Sequence, residues 1–105
     1  MNVSSVKTRQ VALQTMVELC KDPLVAVKFL KLKIMSNLLT YTYIRDLDCR
    51  KDINRLLEMC TQSPTIITFT KSEDFEIERE RLQKLLISQK KLSGQTKKLL
   101  EQLLQ

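Results

Sequence analysis

The chain has 105 residues, of which 43% are hydrophobic and 29% are charged, and its net charge is +6. This length suits one domain with one core, and the hydrophobic content argues against disorder. Histidine is absent and glycine occurs once, which excludes Ser-His and Cys-His catalytic pairs and glycine-rich phosphate loops, so we expect no enzyme, cofactor or metal site.

The first predicted helix covers residues 5–21. Apolar side chains recur there in steps of three and four residues, at Leu13, Met16, Val17 and Cys20. Asp22 and Pro23 should end this helix, because proline cannot continue its hydrogen bonds. The same pair suits the start of the next helix, with Asp22 as the N-cap and Pro23 in the first helical position. A tight corner is therefore expected.

The second predicted helix, residues 24–44, is apolar around most of its circumference, which is typical of a helix in the middle of a bundle. Residues 39–44 alternate Thr and Tyr, so a strand is an alternative for them. Asp46 and Asp48 mark a turn. A third helix, about residues 49–61, places Ile53, Leu56, Leu57 and Cys60 on one face.

The C-terminal part begins with a break at Ser63 and Pro64. Residues 65–70 read TIITFT, and β-branched residues favour extended structure, so an extended linker packed on the bundle is predicted. Thr70 and Glu73 form a capping box for a charged helix or helix pair over residues 71–105. Gly94 is either the C-cap of the first of these helices or an interior residue of one long helix.

Residues 13–20 match residues 53–60 at an offset of 40, and each segment ends shortly before a proline. The match also suits two unrelated amphipathic helices. Residues 9–19, closed by Asp22 and Pro23, resemble the helix of a HEAT or armadillo repeat, and this resemblance covers about residues 6–62. The chain is also similar in scale and hairpin layout to the N-terminal domain of transcription elongation factors.

The fold class predicted from these patterns is all-α. The architecture implied by the resemblance is a four- or five-helix bundle with HEAT/armadillo-like helical hairpin packing. It forms a single domain made of a helical hairpin plus third helix (1–64), the linker (65–70) and the C-terminal helix or helix pair (71–105). No apolar run approaches the roughly 20 residues needed to cross a bilayer, and no signal peptide is evident, so an intracellular protein, cytoplasmic or nuclear, is expected.

Binding is the function that this composition favours. The first hypothesis is a protein-protein interaction module that takes an acidic-hydrophobic partner segment on a helical groove or basic face. Solvated surface is the alternative explanation for the charges. The candidate partner-binding residues are Lys28, Lys31, Lys33, Arg45, Arg50, Lys51 and Arg55.

Two further hypotheses use other features of the chain. Nucleic-acid binding would use the Lys and Arg side chains, although Asp46, Asp52 and Glu58 alternate with them and would repel phosphates. Homo-oligomerisation would use a leucine stripe near the C-terminus, as in a short coiled coil. Its members are Leu92, Leu99, Leu100, Leu103 and Leu104.

Overall fold

A computed structural model describes the backbone of residues 3–105 and the side chains of residues 7–105, so the first two residues of the predicted segment 1–64 lie outside the described residues. Within this range the protein is all-helical, as predicted, and contains no strand. It has seven helices rather than four or five. They are α1 (Val3–Leu19), α2 (Pro23–Lys31), α3 (residues 34–45), α4 (Arg50–Gln62), α5 (Pro64–Thr70), α6 (Glu76–Ser88) and α7 (Gly94–Leu103).

The corner between α1 and α2 forms as predicted. The Asp22 carboxylate accepts a hydrogen bond from the Leu24 N–H at 3.0 Å, and Pro23 is the first residue of α2. Proline has no N–H to lose at this position and its fixed φ suits a helix start. The chain therefore turns between two helices with almost no loop.

The predicted single helix over residues 24–44 is wrong, because the chain turns at Lys33. Lys33 has φ 61°, in the left-handed region, and its N–H donates to the Leu30 carbonyl at 3.1 Å. Apolar side chains surround this segment, and one straight helix cannot turn all of them toward one core. The break allows Leu30 and Met35, on opposite sides of the corner, both to be fully buried.

Helix α3 contains a widened turn where a strand was the alternative prediction. It consists of Ile34–Asn37, a π-helical segment Leu38–Thr42 and Tyr43–Arg45. At about 3.6 residues per turn, a four-residue step drifts by about 40° around an α-helix. The wider π turn offsets this drift, so Met35, Leu39 and Tyr43 can all point into the core, where each has 0% exposure.

The extended linker predicted for residues 65–70 is also wrong, because these residues form α5. Ser63 is the N-cap and its hydroxyl accepts from the Ile66 N–H at 3.4 Å, while Pro64 occupies the first helical position. Ile66 and Thr70 lie four residues apart and are both buried. Capping and tertiary burial thus override the β propensity of the individual residues.

The C-terminal segment forms a helix pair, and the predicted capping box and glycine C-cap are both wrong. Thr70 ends α5, and its hydroxyl donates to the Ile67 carbonyl at 2.8 Å. Gly94 begins α7 rather than ending α6, because Ser93 is the N-cap and accepts from the Thr96 N–H at 3.3 Å. The loop 89–93 separates α6 from α7, so no helix runs through Gly94.

Helix α4 lies at the centre of the fold and packs against α1, α5 and α7. Helix α2 packs against α5 and α3, and α6 packs against α3 and α7. The predicted apolar face of α4 is confirmed, since Ile53, Leu56, Leu57 and Cys60 are all buried. The Cα radius of gyration is 13.1 Å, close to the value of about 13 Å for a compact domain of roughly 100 residues.

Candidate functional site

The predicted partner-binding cations do not form one cluster. They lie on α2, at the Lys33 corner, at the end of α3 and on α4. Lys33 is half-buried, and the Lys31 ammonium lies 5.8 Å from the centroid of the Phe69 ring. The members that are exposed to solvent are Lys28, Lys31, Arg45, Lys51 and Arg55.

Arg50 serves the fold rather than a partner surface. Its Nε donates to the Tyr43 carbonyl at 2.7 Å, and its guanidinium lies 4.5 Å from the centroid of the Tyr43 ring. The side chain is half-buried. A guanidinium held by a carbonyl and an aromatic face is already occupied, so Arg50 should be removed from the predicted partner contacts.

The predicted oligomerisation stripe is part of the protein's own core. Leu92, Leu100 and Leu103 are buried, and Leu99 and Leu104 are half-buried and pack against the same core. Helix α7 needs these side chains to hold its position on α4 and α6. They are therefore not an exposed stripe on which a second chain can pack.

The two proline corners lie against each other. Helix α1 packs on α4 and α2 packs on α5, so the corner at Asp22 and Pro23 meets the corner at Ser63 and Pro64. Each corner has a capping side chain followed by proline at the first helical position. The signal for this arrangement in the sequence is the spacing between the two prolines, Pro23 and Pro64.

A groove runs between these corners and along α1 and α4. It consists of two adjoining clefts of about 240 and 230 Å³ that share Lys21, Met59 and Gln62. We call this surface the corner groove. The residues that line it are Val17, Glu18, Cys20, Lys21, Pro23, Ala26, Arg55, Glu58, Met59, Gln62, Ser63 and Ile66.

The inner wall of the corner groove is apolar. Cys20, Ala26 and Ile66 are buried and Met59 is half-buried. Burial raises the pKa of the Cys20 thiol, and burial together with the nearby Cys20 raises the pKa of the Cys60 thiol behind it to about 12. Both thiols are therefore neutral at physiological pH and pack as small hydrophobes, as the sequence predicted.

The rim of the groove carries charges of both signs. The Lys21 ammonium lies 3.1 Å from a carboxylate oxygen of Glu18, so these two charges offset each other. Farther along α4, a cleft of about 430 Å³ is lined by Lys51, Asn54, Arg55, Glu58 and Gln95. This cleft shares Arg55 and Glu58 with the corner groove and adds the exposed cation Lys51.

A polar network centred on the fully buried side chains of Tyr43 and Thr96 lies on the side of α4 that packs against α7. The Tyr43 hydroxyl is 2.9 Å from the Thr96 hydroxyl and accepts from the Ser93 N–H at 3.0 Å. Thr96 donates to the Asn54 side-chain carbonyl at 2.6 Å. Burial raises the pKa of Tyr43, but its hydrogen bonds with Ser93 and Thr96 and the Arg50 charge outweigh burial, so the pKa is lowered overall.

The described residues offer few groups for chemistry. Side chains 7–105 contain no group of three or more Cys, Asp or Glu residues that could hold a metal ion. None of the described helices combines the length and apolar character needed to span a bilayer.

No protein-family model, curated protein or solved structure matches the chain. The corner groove is thus the surface on which a functional proposal can be built.

Proposed function

We propose that this protein is a non-catalytic interaction module whose corner groove binds an amphipathic helical segment of another protein. The observation that carries this proposal is the apolar wall of Cys20, Ala26, Met59 and Ile66, which lies between two helix pairs. Helix-in-groove recognition uses such a wall to receive the apolar anchors of a partner helix. Met59 adds a flexible side chain that can adapt to the anchor.

The packing of the two corners supports a HEAT-like arrangement within this proposal. Helices α1 and α2 form one unit and α4 and α5 form a second, with the first helices packed together and the second helices packed together. Stacked units of this kind are the basis of helical repeat proteins, which bind partners along the surface that the stack creates. The groove lies between the two units.

The charge on the exposed face of α4 favours acidic residues at one end of the partner segment. Lys51 and Arg55 are both exposed and lie where the corner groove continues toward the start of α4. An acidic stretch of the partner would contact them while its apolar anchors occupy the groove. These contacts would mainly set orientation and association rate, because exposed ion pairs contribute little affinity.

The test compares two single variants with the wild type. The wild type is first used to capture a partner segment, and the affinity of each protein for that segment is then measured directly. Met59→Gln places a polar amide in the apolar wall, whereas Ile87→Gln makes a similar change at a side chain that is 87% exposed and outside the groove. A partner segment captured by the wild type should bind Met59→Gln at least about tenfold more weakly, because an apolar pocket that receives a polar group loses roughly 1.5–3 kcal/mol. Ile87→Gln should bind as the wild type does.

Equal binding by Met59→Gln and the wild type would remove the groove from the proposal. Reversing the charges of Lys28, Lys31 and Lys33 tests the alternative that a basic face binds the partner. Nucleic-acid binding is the other candidate, and it would appear as an affinity that falls steeply between low and physiological salt. A groove that buries apolar anchors would lose little affinity over the same range.

A further inference from the structure

A further cleft lies between α3 and α6 and shares no lining residue with the corner groove. Its volume is about 450 Å³, within the usual range of small-molecule sites. One wall comes from Ser36 and the widened turn of α3, and the other comes from residues 81–88 of α6. We call it the α3–α6 cleft.

The charged groups that line this cleft are both cations. Arg81 and Lys84 lie one turn apart on α6, and no carboxylate is among the eight lining residues. Among the described side chains, no carboxylate lies within ion-pair distance of Arg81 or Lys84. Two unpaired cations in one concave site create a positive potential that attracts an anion.

The other polar groups in the cleft are of two kinds. Some hydroxyls already donate their protons within the protein, and other groups have protons that a ligand can accept. The hydroxyls of Thr40 and Ser88 donate to the backbone carbonyls of Ser36 and Lys84, at 2.7 and 2.6 Å. The Asn37 amide and the Tyr41 hydroxyl keep their protons for a ligand. Tyr41 is 58% exposed, so its ring face is also open to contact.

Two carboxylates of α6 lie close to these cations in sequence, and neither lines the cleft. Glu80, which precedes Arg81 and lies one turn before Lys84, is exposed. Glu78 is 2% exposed, and its Oε2 accepts from the Ser36 backbone N–H at 3.1 Å. This hydrogen bond joins α6 to α3 and fixes the inner end of the cleft. The π-helical segment Leu38–Thr42 supplies Thr40 and Tyr41, and π turns occur frequently at functional sites.

From these observations we infer that the α3–α6 cleft binds a phosphomonoester of about mononucleotide size. The phosphate lies between Arg81 and Lys84, with Asn37 as an additional donor. The planar base packs against the exposed ring of Tyr41. Neither Lys31, Arg50 nor Arg79, the described cations that lie over aromatic rings, occupies a face of this ring. Arginine suits this role because its fork of N–H groups can bind two phosphate oxygens at once.

The experiment is a titration followed by NMR on the 15N-labelled protein, with adenosine monophosphate, inorganic phosphate and adenosine as probes. Adenosine monophosphate should give saturable shifts confined to residues 36–41 and 81–88. Inorganic phosphate should shift the same residues more weakly, and adenosine alone should cause no saturable shift. Saturable binding of adenosine as tight as that of the nucleotide would overturn the assignment of the phosphate to Arg81 and Lys84.

A pair of double variants separates a specific site from general attraction to a basic protein. Arg81→Gln with Lys84→Gln should raise the Kd for adenosine monophosphate at least about tenfold, because both charge-assisted hydrogen bonds to the phosphate are lost. Lys28→Gln with Lys98→Gln removes the same charge at exposed positions outside the cleft, and its Kd should change less than about twofold.

All four substituted side chains are exposed, so both double variants should fold, and thermal unfolding checks this directly. Equal weakening in the two double variants, or shifts spread over all basic surfaces, would show that the anion responds only to net charge. Either result would overturn the inference. The corner groove is not involved, so failure here leaves the proposed partner binding intact.

Discussion

Helix α4 has two sides, and they are held by different forces. The side that packs on α1 meets the buried side chains Leu13, Val17 and Cys20, which interact through apolar contact. The side that packs on α7 includes Asn54, whose carbonyl oxygen accepts from Thr96 within the Tyr43 network. The first side depends on area removed from water and tolerates adjustment. The second depends on each donor meeting its acceptor, which requires one arrangement of α3, α4 and α7.

The largest expected effect on stability concerns the apolar packing of α4. Leu57 is 0% exposed in the centre of α4, and Leu57→Ala should lower the free energy of unfolding by about 2–5 kcal/mol through lost burial and a residual cavity. Leu47→Ala is the matched control, since Leu47 is 69% exposed, and it should stay within about 0.5 kcal/mol of the wild type. Urea denaturation measures both, and equal effects would mean that α4 is not the centre of the core.

The polar side should respond to the loss of a single oxygen atom. Tyr43→Phe keeps the buried ring but leaves the Ser93 N–H without its acceptor and removes the hydrogen bond to Thr96, which keeps its bond to Asn54. We expect a loss of about 1–3 kcal/mol, the cost of unsatisfied buried polar groups. Tyr41→Phe makes the same change at a ring that is 58% exposed and should have almost no effect on stability.

A double-mutant cycle with Thr96→Val sharpens this prediction. If Tyr43 and Thr96 act as one network, the two substitutions should show a coupling energy of about 0.5–3 kcal/mol rather than adding. Simple additivity would contradict the network and would leave both sides of α4 dependent on apolar packing alone. The coupling energy is measured from the unfolding free energies of the wild type, the two single variants and the double variant, taken from equilibrium or chevron curves.

This difference explains which parts of the fold the sequence could predict. The apolar face of α4 is visible as the spacing of Ile53, Leu56, Leu57 and Cys60, because periodic burial leaves a periodic pattern. The polar network joins Tyr43 to Thr96 across 53 residues of sequence, and no local pattern indicates such a contact. The predictions for Gly94 failed for the same reason, because the role of Ser93 as N-cap of α7 depends on where the chain packs.

One wrong prediction and one missed site show tertiary structure overriding local preference. Residues 65–70 favour a strand individually, but the cap at Ser63 and the burial of Ile66 and Thr70 make them a helix. The corner groove was not predicted as a site, because its wall combines Cys20 and Ala26 from two predicted helices with Ile66 from the segment expected to be an extended linker. The two prolines gave its position indirectly by marking the corners, and the stacking of those corners could be seen only in the structure.

The smallest expected effect concerns the corner that directs α3 toward the polar side. Lys33 has φ 61°, a backbone conformation that residues other than glycine adopt at a cost in free energy. Lys33→Gly should therefore raise the free energy of unfolding by about 0.5–1 kcal/mol, since glycine is the usual residue at this position after a helix. Lys28→Gly, in the interior of α2, should lower it by about 1 kcal/mol.

The opposite signs of these two substitutions make the measurement informative. Both remove a lysine side chain and one positive charge, so any effect of charge or of general flexibility should be the same for both. Only the backbone conformation at residue 33 predicts a gain at one position and a loss at the other. If Lys33→Gly destabilises as much as Lys28→Gly does, then the left-handed turn is not what sets the direction of α3. In that case the Tyr43 network must hold α3 in place from its far end.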